Sequence, residues 1–519
     1  MWVYPEIRFL ADLVTYHARR TPNKLAMTYG EQRYDYAALE VESARVANAL
    51  LAEGVKTQDR VVFFGKNSAD FFLAMFGSAR SGACFIPLNW RLAAPELAQV
   101  SADAAPVFAI VEREFEAVWQ EVCKEAGITT GYVVIDDAQR LSAWSGGYAA
   151  VLPKLNLRED DAVIQLYTSG TTGVPKGVLH THASFNHSRL SEHFERAYHW
   201  QDGEVFLYAL PNFHLLGVAL SLQCLYNGVA LCIQKQFHPQ EFLAGIEQSH
   251  PTLLVLTPTM IQLLIDHPDA AKTNFSSLKL LMYAGSPISL GLLKRALSIM
   301  PCEFMQFYGQ TETSGPVSLL RPDEHNLEVE QTLKSCGRPL PLIRLRVVDE
   351  QGNDVPDGTP GELLICAPSA SAGYWNRPEE TDARFKDGWY ASGDVAYRDT
   401  DGLYYIYDRL KDLIVSGGEN IYCAEVENVL SIHPAVASVA VIGVPDARWG
   451  EAVKAVVVLH AGKIVSHDDL LHFCRQHLAG YKVPKSIDFV DEFPLTGTGK
   501  ISKKDIRAPY WANMQRSVA

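Results

Sequence analysis

The chain has 519 residues, 48% of them hydrophobic and 20% charged, enough to bury several cores in about three or four structural units. A formal net charge of -14 repels a polyphosphate backbone on average. That argues against general nucleic-acid binding, and any bound anion must be met by local donors. The nine cysteines, at positions 84, 123, 224, 232, 302, 336, 366, 423 and 474, form no C-x-x-C pair and keep no regular spacing. Neither a disulfide framework nor a zinc site is expected, and reduced thiols in a cytoplasmic protein are.

The first residues, MWVYPEIRFLADLV, carry Glu6 and Asp12 among apolar residues with no basic segment before them, unlike a secretory signal. No apolar run approaches the roughly 18 residues of a membrane span, so no integral segment is expected, while peripheral contact stays open.

In chain order, RVVFFG (60–65) predicts a strand, ADFFLAMFGSARSG (69–82) a helix, ACFIPL (83–88) a strand, PELAQVSADA (95–104) a helix and PVFAIVE (106–112) a strand. A second alternation runs through VFLYAL (205–210), the apolar segment 215–226, VALCIQ (229–234), a helix near 240–248 and TLLVLT (252–257). Alternating strands and helices predict layered α/β architecture. Beyond about residue 335, short strands separated by turn signals such as DEQGNDVPDGTPGE (349–362) predict a β-rich subdomain. From Asp412 onward, strands at 436–444 and 452–460 and a helix at 468–481 predict a compact α+β unit. The expected class is therefore α/β: an N-terminal domain (1–410) of two layered α/β subdomains plus a β-rich subdomain, and a small C-terminal domain (411–519).

The strongest local motif is YTSGTTGVPKG (167–177), placed just after the strand-like AVIQLY (162–167). Glycines, hydroxyls and one lysine make a loop whose N–H groups, hydroxyls and ammonium can surround phosphate oxygens. It is not a Walker A sequence, because Pro175 stands where that motif requires glycine. Eight further motifs follow: PNFHLLG (211–217), YAGSP (283–287), YGQTET (308–313), GEL (361–363), GYWN (373–376), WYASGD (389–394), DRLKD (408–412) and GGENIY (417–422), before GTGK (497–500). In this order, over roughly residues 10–510, the chain resembles the adenylate-forming superfamily of acyl-CoA synthetases, stand-alone adenylation domains and beetle luciferases. It is most similar to a medium- or long-chain fatty-acyl-CoA ligase.

The resemblance implies the cosubstrates ATP and CoA, Mg2+, a small-molecule carboxylic acid, and a C-terminal domain that acts as a mobile lid. It also implies site residues, each with a chemical reason. Thr168, Ser169, Gly170, Thr171, Thr172 and Lys176 would hold phosphates. Gly285, Ser286 and Pro287 would form the adenine-side loop, although S-P departs from the commoner A-P. Gln306, Tyr308 and Gly309 would adjoin the nucleotide, the Tyr308 ring offering adenine a flat face. Thr311 would bond the α-phosphate, and Glu312 is a hard oxygen ligand suited to magnesium. Asp394 would accept both ribose hydroxyls, supported by Arg409. Lys500 would insert a cation where charge builds up between carboxylate and α-phosphate. Thr168, His214, Glu312 and Lys500 form the expected catalytic set.

His214 is either a hydrogen-bonded core residue or a gate and orienting donor beside the acid. Phe213, His214, Gly217, Tyr283 and Gly309 would line the acyl pocket. Glycine at 309 has two readings: open volume beyond the carboxylate, which predicts a long pocket, or a requirement of the turn. Lys411 matches the lid hinge, Gly417 and Gly418 the pantetheine tunnel, and Trp449 the CoA side. Asp408 and Cys423 depart from the commoner glycine and proline, which predicts altered stiffness in the moving region. PLTGTGK (494–500) resembles the pattern recognised by bacterial acyl-CoA-synthetase acetyltransferases, so Lys500 is also a candidate for acetylation. Three functions follow: a ligase for fatty or related apolar acids first, one for aromatic acids second, and an adenylating enzyme loading a carrier protein third. The chain ends nineteen residues after Lys500, which weighs against an appended carrier domain. A monomer or homodimer is expected.

Overall fold

Parallel strands covered on both faces need near-continuous apolar runs, and the N-terminal sequence supplies them. The structure, a computed structural model, describes residues 6–168, 175–198, 200–417, 419–496 and 500–512, with the backbone alone at Lys411 and Asn420. One six-stranded sheet runs in the order Gly131–Ile135, Phe108–Glu112, Arg60–Phe64, Cys84–Pro87, Ala162–Thr168, Lys176–Thr181. Its pairs are parallel except the last, which is antiparallel. A nine-stranded sheet has Glu303–Tyr308, Leu280–Tyr283, Leu253–Leu256, Val205–Tyr208 and Ala230–Ile233 as its parallel centre.

A helix that is apolar on all sides belongs between two layers. Ala69–Ser81 is buried at every position, and its Phe71, Phe72 and Phe76 sit in the core cluster that joins residues of both sheets. Full burial of each such ring contributes on the order of 1.5–3 kcal/mol. The charged Arg80 of this helix is met by Glu40.

A third sheet, antiparallel, contains Arg344–Val348, Gly361–Cys366, Trp389–Arg398 and Phe385–Lys386, with Tyr404–Arg409 on the far edge of Trp389–Arg398. The chain leaves this sheet at Arg409, makes the short turn Leu410–Asp412, and enters a fourth sheet at Ile414. That sheet orders Glu419–Ile421, Ile414–Ser416, Gly450–Leu459 and Val436–Asp446, with Ser486–Phe489 parallel to Gly450–Leu459. It has its own core, including Ile414, Val426, Val453 and Ile487. The α/β class, with two layered sheets, a β-rich unit and a smaller α+β unit, is as expected. The helix expected over 468–481 is shorter, His467–His477; the chain turns there so that Leu478 and Val483 reach the same core.

Candidate active site

The site gathers where three sheets present strand ends. Glu303–Tyr308 delivers Tyr308, and Trp389–Arg398 delivers Asp394 directly opposite Arg409 on the neighbouring strand. Asp394 is 1% exposed. Its Oδ2 accepts from the Tyr308 hydroxyl at 2.5 Å and from Gln310 Nε2 at 2.6 Å. Arg409 Nε lies 2.6 Å from Oδ1 as an ion pair, yet Oδ1 receives no hydrogen bond within the protein. A buried carboxylate oxygen in that condition suits a ligand hydroxyl. Burial, then the facing carboxylate, holds the Tyr308 phenol well above its ordinary value, so it donates as a neutral hydroxyl.

Lys500 enters from the C-terminal unit. Its backbone is held by Thr496, which donates its N–H to the Lys500 carbonyl at 2.7 Å and accepts from the Lys500 N–H on its hydroxyl at 3.2 Å. The side chain lines a pocket with Leu210, Pro211, His214, Leu216, Thr257 and Gly285, with room for about one water. A methyl placed on Gly285 would stand 3.5 Å from Lys500 Cε and 3.9 Å from Nζ. Burial, reinforced by the Arg409 cation and opposed by Asp394, lowers the Lys500 ammonium to about 8.

His214 caps the helix Leu215–Tyr226, its Nδ1 accepting from the Leu216 N–H at 3.3 Å. Burial, with the Lys500 charge, lowers this imidazole to about 3, so it is neutral at physiological pH. With Nδ1 an acceptor, the hydrogen-bond network assigns the proton to Nε2, leaving a donor rather than a proton carrier.

Thr168 closes the strand Ala162–Thr168 opposite Lys176. The expected phosphate residues Ser169, Gly170, Thr171 and Thr172 lie outside the described residues. Lys176 pairs with Glu380 and stands 5.5 Å over the Tyr374 ring. Tyr374 donates its hydroxyl to Glu312 Oε1 at 2.9 Å. The GYWN segment is thus wedged between the phosphate-loop strand, where the Trp375 N–H donates to the Gly177 carbonyl at 2.7 Å, and the turn carrying Thr311 and Glu312. Magnesium takes one or two carboxylates and fills its octahedron with water and substrate phosphate, so a lone Glu312 fits it. Among the described residues no group of three or more His, Cys, Asp or Glu forms a separate cation cage. Gln306 pairs with Tyr283 across adjacent strands, and Gly285, Ser286 and Pro287 follow the end of Leu280–Tyr283.

Of the five residues expected to line an acyl pocket, His214 lines the pocket described above and Gly217 packs against Pro211 of the same lining. Phe213 meets Trp90 edge-on at 6.1 Å, and Tyr283 is fully buried with its hydroxyl 3.0 Å from His325 Nε2. A methyl on Gly217 would lie 2.4 Å from the Pro211 carbonyl oxygen. At Gly309 it would lie 2.5 Å from the Gly315 carbonyl oxygen and 3.2 Å from Pro316 Cα. Glycine at 309 is therefore demanded by close backbone approach in the turn, and the open-volume reading is corrected.

On the C-terminal side, Gly417 takes φ +62° and its N–H donates to the Trp449 carbonyl at 2.8 Å. A methyl there would strike the Trp449 ring at 2.7 Å. Gly418 and the Lys411 side chain lie outside the described residues. Four contacts escaped the sequence reading: Gln310 on Asp394, Tyr390 donating to Gln310 Oε1 at 2.7 Å, Tyr374 on Glu312 and Glu380 on Lys176. The first three belong to quoted motifs, so membership of a motif was the available signal; Glu380 carried none.

This geometry, a buried carboxylate paired with an arginine, a lysine whose ammonium is lowered by burial and a carboxylate held by Tyr374 beside the strand Lys176–Thr181, is that of a nucleotide-using activating enzyme. Residues 14–375 match the AMP-binding enzyme family and residues 425–500 the AMP-binding enzyme C-terminal domain. The chain belongs to the AMP-binding enzyme family, and it is an AMP-forming acid–thiol ligase that uses ATP and Mg2+. It is 35% identical over 518 residues to the fatty acid–[acyl-carrier-protein] ligase ScoC of Streptomyces coeruleorubidus, covering 99% of each chain. It is 39% identical over 494 residues to a feruloyl-CoA synthase of an Amycolatopsis species, covering 94% of this chain and 96% of that one. The o-succinylbenzoate CoA synthetase MenE of Bacillus subtilis, solved with ATP and a magnesium ion, superposes with a TM-score of 0.83 at 29% identity, over 94% of this chain and 98% of that one. No helix among the described residues is long and apolar enough to cross a membrane.

Two outcomes follow. The role expected of Lys500 requires its charge, and burial lowers its ammonium to about 8. The kcat/KM for ATP in pyrophosphate release, which reports the free enzyme, is expected to be level below pH 8 and to fall about tenfold per unit above it. A profile flat to pH 10 contradicts this. Gly309→Trp is expected to destabilise the fold by on the order of 1–3 kcal/mol or more through collision with the Gly315 backbone, without redirecting activity to short acids. Thermal unfolding with an acid panel checks both parts.

Proposed function

We propose that the chain activates an apolar carboxylic acid as its acyl-adenylate and passes the acyl group to CoA. In the first half-reaction a carboxylate oxygen attacks the α-phosphorus of ATP, the bond to the bridging oxygen breaks, and pyrophosphate leaves. In the second, the CoA thiolate attacks the acyl carbonyl and AMP leaves with the carbon–oxygen bond electrons, the thiol proton going to solvent. Magnesium, when bound, neutralises phosphate charge. Glu312 would hold it, Thr168, Thr311 and Lys176 would face phosphates, and Asp394 with Arg409 would hold the ribose.

The observation that carries this reading is Lys500, half-buried against Gly285 and His214 and within electrostatic reach of Asp394. A desolvated ammonium beside a nucleotide carboxylate stabilises charge that builds in the transition state and needs no reorganisation there. The neutral His214 orients the acid through Nε2. We divide the chain at 410/411, so that the unit carrying Lys500 acts as a lid turning about Lys411 between half-reactions. Gly417, Gly418 and Trp449 would then serve the thiol.

For the acid, medium- or long-chain fatty acids come first, supported by the likeness to ScoC. Aromatic acids come second, supported by the Trp90–Phe213 pair beside His214 and by the 39% identity to a feruloyl-CoA synthase. That the second product leaves on a carrier protein is the third reading, supported by the same ScoC likeness.

Lys500→Ala is expected to slow acyl-AMP formation about a hundredfold or more, while thioester formation from supplied acyl-AMP and CoA is largely kept. Equal loss in single-turnover assays of both steps would overturn the division of labour. In the wild type, kcat/KM across straight-chain acids should rise with length and then level off, each buried methylene contributing about 0.8 kcal/mol. Preference for a cinnamate-type acid over every fatty acid would promote the second reading.

A further inference from the structure

The C-terminal helix Cys423–Ser431 begins without a cap of its own: Tyr422 stands at the N-cap position and its side chain accepts no hydrogen bond there. The first N–H groups of any helix have no partner within it. Here the N–H of Cys423 donates to Asp408 Oδ2 at 2.6 Å, fifteen residues back and on the other side of the Leu410–Asp412 turn. Asp408 belongs to the strand Tyr404–Arg409 of the third sheet, in register with Val395. It is 9% exposed, and its other oxygen accepts the N–H of Arg409 at 2.8 Å. The residue next to it is Arg409, the partner of Asp394. Neighbouring strand residues point to opposite faces, so one dipeptide grips the nucleotide carboxylate with one side chain and the C-terminal unit with the other.

The surroundings reinforce that grip. Cys423 Sγ donates to the Asp412 carbonyl at 3.1 Å, Arg507 pairs with Asp412 at 2.7 Å, and Lys503 pairs with Glu427 at 2.8 Å. Asp412 ends the turn and Glu427, Lys503 and Arg507 lie after it, whereas Asp408 lies before it. A charge-assisted bond of this kind, with the added pull of a carboxylate on a helix N-terminus, biases an orientation equilibrium by about tenfold or more when desolvated.

We propose that Asp408 is a positioning residue: by capping the helix Cys423–Ser431 across the turn, it holds the C-terminal unit in the orientation that places Lys500 in the nucleotide site. Breaking the cap accompanies the turn to the thioester-forming orientation. The inference rests on the two-step reading above, but the exposure of the Cys423 amide tests the cap independently of that reading.

The variants are Asp408→Ala, Asp408→Asn, which keeps an acceptor oxygen, Cys423→Ala, which keeps the N–H, and Cys423→Pro. Proline is tolerated at the first helical position and deletes this donor. In Asp408→Ala the Cys423 amide should exchange hydrogen about tenfold faster than in the wild type. Acyl-AMP formation should slow about tenfold in single turnover, while acyl-AMP plus CoA to thioester changes by less than about twofold. Asp408→Asn should fall between the wild type and Asp408→Ala in the ratio of the two rates, and Cys423→Ala should stay near the wild type. Cys423→Pro should shift that ratio as Asp408→Ala does, and the double variant should be no slower than Asp408→Ala. Unchanged amide exchange in folded Asp408→Ala overturns the cap, and an equal fall in both half-reactions overturns the positioning role. A wild type that forms no acyl-AMP overturns the proposed reaction instead, and the exchange result still decides the cap.

Discussion

The arrangement depends on one buried charge, the carboxylate of Asp394. A carboxylate withdrawn from water is tolerated when its lone pairs are met by donors and a cation. The donors here come from different parts of the chain: Tyr308 and Gln310 from the end of the nine-stranded sheet, Arg409 from the strand beside Asp394. Each must stay in place for Asp394 to stay charged at low cost. The nine-stranded sheet and the β-rich sheet are therefore locked together at the point where the nucleotide is to be held.

Around that charge, electrostatics divides the labour among neighbours. Arg409 remains firmly protonated against Asp394, while Lys500, close to both, is held near neutral-range titration by its burial. Two cations a few side chains apart thus differ in how readily they part with a proton. Arg409 serves as a permanent counter-charge. Lys500 gains most when an anion arrives, because an incoming negative group restores the charge that desolvation disfavours. His214, neutral and bound through Nδ1 to its own helix, adds a donor to the pocket without adding positive charge.

Much of this was legible in the sequence. The β-branched and aromatic runs at 60–65, 83–88 and 205–210 are the strands expected, since their periodicity comes from burial on both faces. The motif residues Tyr308, Arg409 and Lys500 converge because each sits at a strand end or on a loop, and Asp394 joins them from within the strand Trp389–Arg398, opposite Arg409. The reason for the glycine at 309 was not legible. Whether a glycine such as Gly309 marks open space or the close approach of another backbone depends on a contact with Gly315, six residues on and folded back upon it. Composition and spacing carry no information about that direction. The same holds for Asp408 and Cys423: the sequence exposes two unusual residues, and only the folded chain brings a carboxylate to the amide that proline would lack.

The ion pair between Lys176 and Glu380 has a consequence for ligand traffic. A cation already satisfied by a carboxylate does not attract every anion equally; an incoming group must replace that partner with charge of at least equal strength. A triphosphate chain brings several negative oxygens to the exchange, whereas a nucleoside monophosphate brings a single phosphate. In the proposed phosphate role of Lys176, Glu380 would act as an internal competitor, favouring entry of the polyphosphate over retention of the spent nucleotide. That bias weakens wherever salt screens the partly exposed pair.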